Sequence, residues 1–184
     1  MQTAAGSDVN VADVDGLTAL MRAAEQENAS EAVVAMLLAA GSDVGTADKY
    51  GMTALLHAAN QENASEAVVA ALIAAGSDMA AVDHAFGRTA LTFAVSHKNA
   101  SEAVVAALIA GGSDVNATDR AAGKTVLVWA VFHKVPVGVV TALISAGSGV
   151  HATGKEGVTA LMYAVSCNAS EAVVVELLSG GSDV

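Results

Sequence analysis

The chain has one cysteine, one proline and few aromatic side chains, and only 15% of its 184 residues are charged. A single cysteine, Cys167, excludes an internal disulfide framework and any multi-cysteine metal site. One proline suits a chain that is mostly helical. Basic residues are scarce: eight Lys and Arg stand against nineteen Asp and Glu, for a net charge of −11. Nucleic-acid phosphate would repel so acidic a chain, so general nucleic-acid binding is not expected. Long apolar runs are missing too. The longest clean stretches, such as Ala103 to Gly112, fall well short of the roughly twenty residues a membrane-spanning helix needs. Met1 to Asn10 has no basic region followed by an apolar run, so no signal peptide is expected. That favours an intracellular chain over a secreted one and leaves the compartment unread.

What is abundant is small and apolar. The chain holds 42 Ala and 27 Val, and its mean hydropathy is +0.53. Disordered chains are poor in apolar residues and rich in charge, so this one is expected to fold. It is also periodic. The phrase Gly-x-Thr-(Ala/Val)-Leu begins at Gly16, Gly51, Gly87, Gly123 and Gly157, with spacings of 35, 36, 36 and 34. A second phrase, Gly-Ser-Asp-Val or close to it, starts at Gly6, Gly41, Gly76, Gly112, Gly147 and Gly181. Such a period signals stacked repeats rather than one shared core.

Each unit reads as two short helices. After Thr18 comes Ala-Leu-Met-Arg-Ala-Ala, a run of good helix formers. Asn28-Ala-Ser-Glu31 then resembles a capping box with Asn at the cap, repeated at Asn63, Asn99 and Asn168. The second helix carries Val33, Val34, Leu37 and Leu38, and this i, i+1, i+4, i+5 pattern recurs in every copy on one helical face. The glycine that follows is expected to end the helix in a left-handed conformation. Repeat 4 replaces the cap with Val135-Pro136-Val137-Gly138, where Pro136 suits a first helical position.

The run Asp-x-x-Gly-x-Thr-Ala-Leu-x-x-Ala-Ala, followed by Glu-Ala-Val-Val-x-x-Leu-Leu-x-Ala-Gly-Ser-Asp-Val, resembles the ankyrin repeat. The resemblance covers nearly the whole chain. It implies an all-α solenoid of antiparallel helix pairs with projecting β-turn fingers. It also implies a concave groove, built from fingers and first helices, that binds another protein without catalysis. The expected organisation is one domain over 1–184, with a partial repeat at 1–12 and repeats near 13–47, 48–82, 83–118, 119–153 and 154–184. Some residues depart from the family pattern. Thr-Pro-Leu-His becomes Thr-Ala-Leu-Met at Thr18 and related forms elsewhere. Fingers 3 and 4 carry an extra residue, and Gly154 replaces the finger Asp in repeat 5.

Second helices are nearly identical, so function is sought where the copies differ. All aromatics and all Lys, Arg and His lie in fingers, first helices and their turns. The position four residues after the Thr reads Arg22, His57, Phe93, Trp129, Tyr163. Stacking would align these along the array, as exposed anchors or as fillers between Ala-rich helices. Residues 84 to 134 carry +2 and the remainder −13, so an acidic or mixed partner surface could dock there. The expected partner-binding set is Phe93, Trp129, Phe132 and Tyr163 as apolar anchors, with Arg88, Lys124, His97 and His133 as a polar rim. An alternative is a structural subunit of a larger complex, associating through its Ala-rich convex face or end to end. No catalytic residue, metal site or cofactor is expected. The five His lack the i, i+4 spacing of a helical metal pair, and Cys167 has no His in its own turn. The Asn-Ala-Ser triplets match a glycosylation acceptor, but their place before a helix accounts for them.

Overall fold

The computed structural model describes residues 8–180. Within them lie ten helices in five pairs: α1 (Ala19–Ala24) with α2 (Glu31–Ala39), α3 (Ala54–Ala59) with α4 (Glu66–Ala74), α5 (Ala90–Ala94) with α6 (Glu102–Ala110), α7 (Val126–Phe132) with α8 (Val137–Ser145), and α9 (Ala160–Ser166) with α10 (Glu171–Ser179). The first helices start where the repeated Thr predicts. Thr18, Thr53, Thr89, Thr125 and Thr159 hold extended backbone at the cap, and each Oγ1 accepts the N–H three residues on. Each such cap is worth about 1 kcal/mol.

The second helices are capped one residue pair later than the capping-box pattern suggested. In repeats 1 to 3 the cap is Ser30, Ser65 or Ser101, whose Oγ accepts the N–H of Val33, Val68 or Val104. The turn decides this. Ala29 N–H donates to the Gln26 carbonyl and Ala100 N–H to that of His97, so Asn28 and Asn99 lie inside a turn that must close before the helix begins. Glu then occupies the first helical position. There it faces the positive helix end, but it is too close to the cap to reach back. The released Asn side chains bridge repeats instead: Asn63 Nδ2 donates to Glu27 and Asn99 Nδ2 to Glu62, in the turn of the preceding repeat. Pro136 is itself the cap of α8, with Val137 the first helical residue, and it offers no side-chain hydrogen bond. Repeats 4 and 5 both enter the second helix through a tighter turn, with Lys134 (φ 56°) and Asn168 (φ 53°) left-handed.

Helices of five to nine residues are unstable alone. Stacking stabilises them. Successive first helices pack on one another, as do successive second helices. Leu20, Leu55, Leu91 and Leu127 are at most 1% exposed between the layers, and Leu72, Leu108 and Leu143 are fully buried behind them. Each of α2, α4, α6 and α8 ends on a left-handed glycine. At Gly41 (φ 89°) the N–H of Gly41 bonds Leu38 and that of Ser42 bonds Leu37, which closes the helix and turns the chain back. Gly6 and Gly181, the outermost copies of this phrase, lie outside the described residues.

Fingers zip to one another through backbone hydrogen bonds. Lys49 N–H meets the Asp15 carbonyl at 3.0 Å, His84 that of Tyr50 at 2.8 Å, Arg120 that of Phe86 at 2.6 Å, and Lys155 that of Ala122 at 2.9 Å. The extra residue in fingers 3 and 4 is visible in the turn closure. Gly51 N–H reaches Asp48 three residues back, whereas Gly87 and Gly123 reach Asp83 and Asp119 four back. Asp43, Asp78 and Asp114 hold their own loops by accepting the N–H two residues on, at 2.8 to 2.9 Å. Asn116 bridges to the next loop, donating to Gly147 and accepting from Gly149.

The convex face is as small-sided as expected, with Ala35, Ala39, Ala70, Ala74, Ala106 and Ala110 exposed. The last described helix pair differs from the others. Met21, Leu56, Thr92 and Val128 are each at most 1% exposed, but Met162 at the same position is 54% exposed. Val165 is 70% exposed where Val95 and Val131 are at most 1%. Among the described residues, no helix is long and apolar enough to cross a membrane.

Candidate functional site

The face built from fingers and first helices is organised by the finger aspartate. Asp48, 5% exposed, accepts the backbone N–H groups of Tyr50 and Met52 at 2.8 and 2.9 Å. Asp119, 3% exposed, accepts those of Ala122 and Lys124 at 2.6 and 3.1 Å. Asp83 does the same for Phe86 and Arg88. Their carboxylates therefore shape the fingers, and in repeats 1, 2 and 4 the finger carboxylate also bonds one residue on the first helix behind it. That residue stands four positions after the Thr. Arg22 gives a guanidinium N–H to Asp13 at 2.7 Å and another to Glu25 at 2.9 Å. His57 Nε2 lies 3.0 Å from Asp48 Oδ2, with Nδ1 3.9 Å from Glu25. Trp129 Nε1 donates to Asp119 Oδ2 at 2.9 Å. The hydrogen bond from Arg22, followed by those from the Leu17 and Asp15 N–H groups, holds the Asp13 carboxyl below the usual aspartate value.

In the third to fifth repeats this position is aromatic, and a finger cation covers it. The Arg88 guanidinium carbon lies 4.5 Å from the Phe86 ring centre and 4.7 Å from that of Phe93. Lys124 Nζ lies 5.0 Å from Trp129, 4.6 Å from Phe132 and 5.3 Å from Tyr163, so three rings surround one ammonium. The rings also meet one another. Phe132 stands edge-on to Trp129 and to Tyr163, each at 6.0 Å, and His133 stacks on Trp129 at 5.3 Å. Burial, then the positive neighbours His97, Lys124 and Arg88, holds the His133 imidazole below the ordinary histidine value.

The eight residues singled out from the sequence thus gather on one surface, with unequal exposure. Phe93 is buried, at 4%, and fills the space between first helices. Trp129 and Tyr163 are half-buried, and Phe132 is 44% exposed. Arg88, Lys124, His97 and His133 are half-buried, and among the described residues Arg88 Nε, His97 Nε2 and His133 Nε2 have no hydrogen-bond partner. Two hollows lie along this wall. One of 560 Å³ runs from Tyr50 and His57 to Phe86 and Phe93; one of 190 Å³ lies between Phe86, Arg88, Lys124 and Trp129. Phe86, 46% exposed, borders both and was not among the expected anchors. Its signal was the extra residue of finger 3, which carries the ring to the fingertip. Cys167 ends α9 and makes only long contacts from Sγ to the Val131 and Ala164 carbonyls, at 3.7 and 3.8 Å.

Compared with curated proteins, the chain finds no match. The sequence profile for ankyrin repeats (3 copies) matches it over residues 1–83, 27–119, 56–153 and 98–184, which together span its length. Paired helices, zipped fingers and left-handed glycines at a fixed period agree with that match, and the chain belongs to the ankyrin repeat family.

Proposed function

We propose that the chain is a non-catalytic binding module that recognises a partner protein through the groove formed by its fingers and first helices. Ankyrin repeats are generally protein-interaction modules, and the family is generally non-catalytic. The observation that carries the groove assignment is the continuous wall from Phe86 to Tyr163, in which aromatic rings and finger cations alternate on that face. Amphipathic aromatic side chains bury large area at little entropic loss. A scaffold already locked by finger-to-finger hydrogen bonds loses little further freedom on binding. Phe132 is an anchor of this wall, 44% exposed beside the half-buried Trp129 and Tyr163. Phe132→Ala should reduce recovery of a partner from extract at least tenfold and leave the unfolding midpoint within a few degrees. Equal recovery by the variant rejects the groove.

A second reading rests on Met162 and Val165, which are open at the last described helix pair although their counterparts are buried. In that reading the chain packs end to end as a subunit of a larger assembly. Light scattering across a concentration series separates the two: association abolished by Met162→Glu with Val165→Glu supports the subunit, and a concentration-independent monomer removes it.

A further inference from the structure

Arg88 and Lys124 differ from Arg22 and Lys49, the bases of the first two repeats, in how they are compensated. Arg22 and Lys49 each pair with a carboxylate. Among the described residues Arg88 and Lys124 have no ion pair. The nearby Asp83 and Asp119 accept hydrogen bonds from the backbone and, at Asp119, from the indole. Both cations rest on aromatic faces instead, and Arg88 Nε is buried with no acceptor among the described residues. A cation on a ring keeps most of its charge available to a further anion, and it is already oriented.

We infer that the groove across repeats 3 to 5 takes an acidic peptide segment, its carboxylates meeting Arg88 and Lys124 and its apolar side chains lying on Phe86 and Phe132. This rests on the groove reading and adds the partner's chemistry to it. A basic segment would meet two uncompensated cations. A neutral one would offer uncharged acceptors only and would cover the two cations without counter-charge, at a desolvation penalty. The overall charge of −11 does not oppose an acidic segment at contact range. Charges beyond roughly 8 Å are largely screened at physiological salt, and residues 84 to 134 carry a net positive charge. Nucleic acid is disfavoured because its phosphates extend past the patch and meet the acidic remainder of the chain at close range.

Trp129 is the chain's one tryptophan and lies beneath Lys124, so its emission reports on the site. The test titrates the whole chain with a short fluorescent Glu-rich peptide containing Leu, with the same peptide carrying Lys or Gln for Glu, and with a single-stranded oligonucleotide. The Glu peptide should bind, change Trp129 emission and weaken as salt rises. Lys124→Met and Arg88→Met should each weaken it about tenfold, Arg88→Lys should restore most of the binding, and Lys49→Met should leave it unchanged. If a Met variant does not fold, the salt dependence and the Lys peptide decide the outcome. Equal binding by the Lys or Gln peptide, tighter binding by the oligonucleotide, or no binding by the Glu peptide overturns the inference and leaves the groove reading to the Phe132 experiment. Self-association lost in Lys124→Met would make a second copy the occupant and likewise overturns it. Binding that moves neither Trp129 emission nor any variant's affinity overturns both.

Discussion

The first two repeats and the next two solve the same local problem with the chemistry exchanged. In repeats 1 and 2 the finger residue before the Thr is apolar, Leu17 or Met52, and the first-helix residue behind it is Arg22 or His57, satisfied by carboxylates. In repeats 3 and 4 the finger residue is Arg88 or Lys124 and the helix residue is Phe93 or Trp129, covered by that cation. The base has moved from helix to finger, and an aromatic ring has taken its place. A base on the helix is paired with the carboxylate of its own finger, Arg22 with Asp13 and His57 with Asp48. A base on the finger is held at the groove surface with its charge unspent. The N-terminal half is therefore electrostatically closed on its finger and first-helix face and the C-terminal half is open, although both share one backbone.

The sharpest way to break the comparison is at the ring itself. Phe93→Ala removes a buried side chain from between first helices and should cost about 3 to 4 kcal/mol. Urea denaturation followed by circular dichroism measures it. If the loss is under 1 kcal/mol, Phe93 is not filling the space its burial implies. Next comes the finger carboxylate. Asp119→Ala strands two backbone N–H groups and the Trp129 indole N–H in a buried setting, a loss of about 2 to 3 kcal/mol. Asp13→Ala, in an exposed finger, should lose clearly less in the same assay. Equal losses would mean that the two halves are held alike.

Much of this was readable beforehand. Gly-x-Thr located the start of all five first helices, because good helix formers follow each Thr; the Thr hydroxyl as the cap is seen only in the structure. Periodic spacing also located the rings, since stacked copies put equal positions side by side. Three further features were not readable. Asn-Ala-Ser-Glu offers two residues able to cap, and the choice of Ser30 over Asn28 depends on a turn closed by Ala29, which carries no side-chain signal. Exposure along the ladder was also hidden. Phe93 and Phe132 are the same residue type, yet one sits between helices and the other one turn on at the rim. The pairing of Lys124 with three rings depends on the one-residue lengthening of finger 4, visible as a spacing of 36 but without direction.

A smaller effect concerns protonation. His57 sits between two carboxylates, whereas His133 sits among His97, Lys124 and Arg88, with burial the main reason its folded-state value is lowered. A histidine lowered on folding binds fewer protons in the native state, so stability rises with pH between the folded value and the unfolded one near 6.5. His133 should therefore remove stability as pH falls from about 7 through 6 and below. His133→Gln should flatten the slope of denaturation midpoint against pH in that range. An unchanged slope would place the titration elsewhere.

The finest test transplants one half into the other. His57→Phe in repeat 2 installs the ring but leaves the Asp48 carboxylate without its imidazole partner, so it should destabilise the chain. Met52→Arg, at the position equivalent to Arg88, adds a cation that can lie on that ring. A double-mutant cycle should then show favourable coupling of about 0.5 to 1 kcal/mol, the range of a partly exposed cation–ring pair. Finger 2 lacks the extra residue of finger 3: Gly51 closes on Asp48 three residues back, and Gly87 on Asp83 four back. Measurable coupling in the shorter finger means that the residue pair alone creates the open surface. Zero coupling means that finger length aims the cation, and inserting one residue after Lys49 should then bring the coupling back.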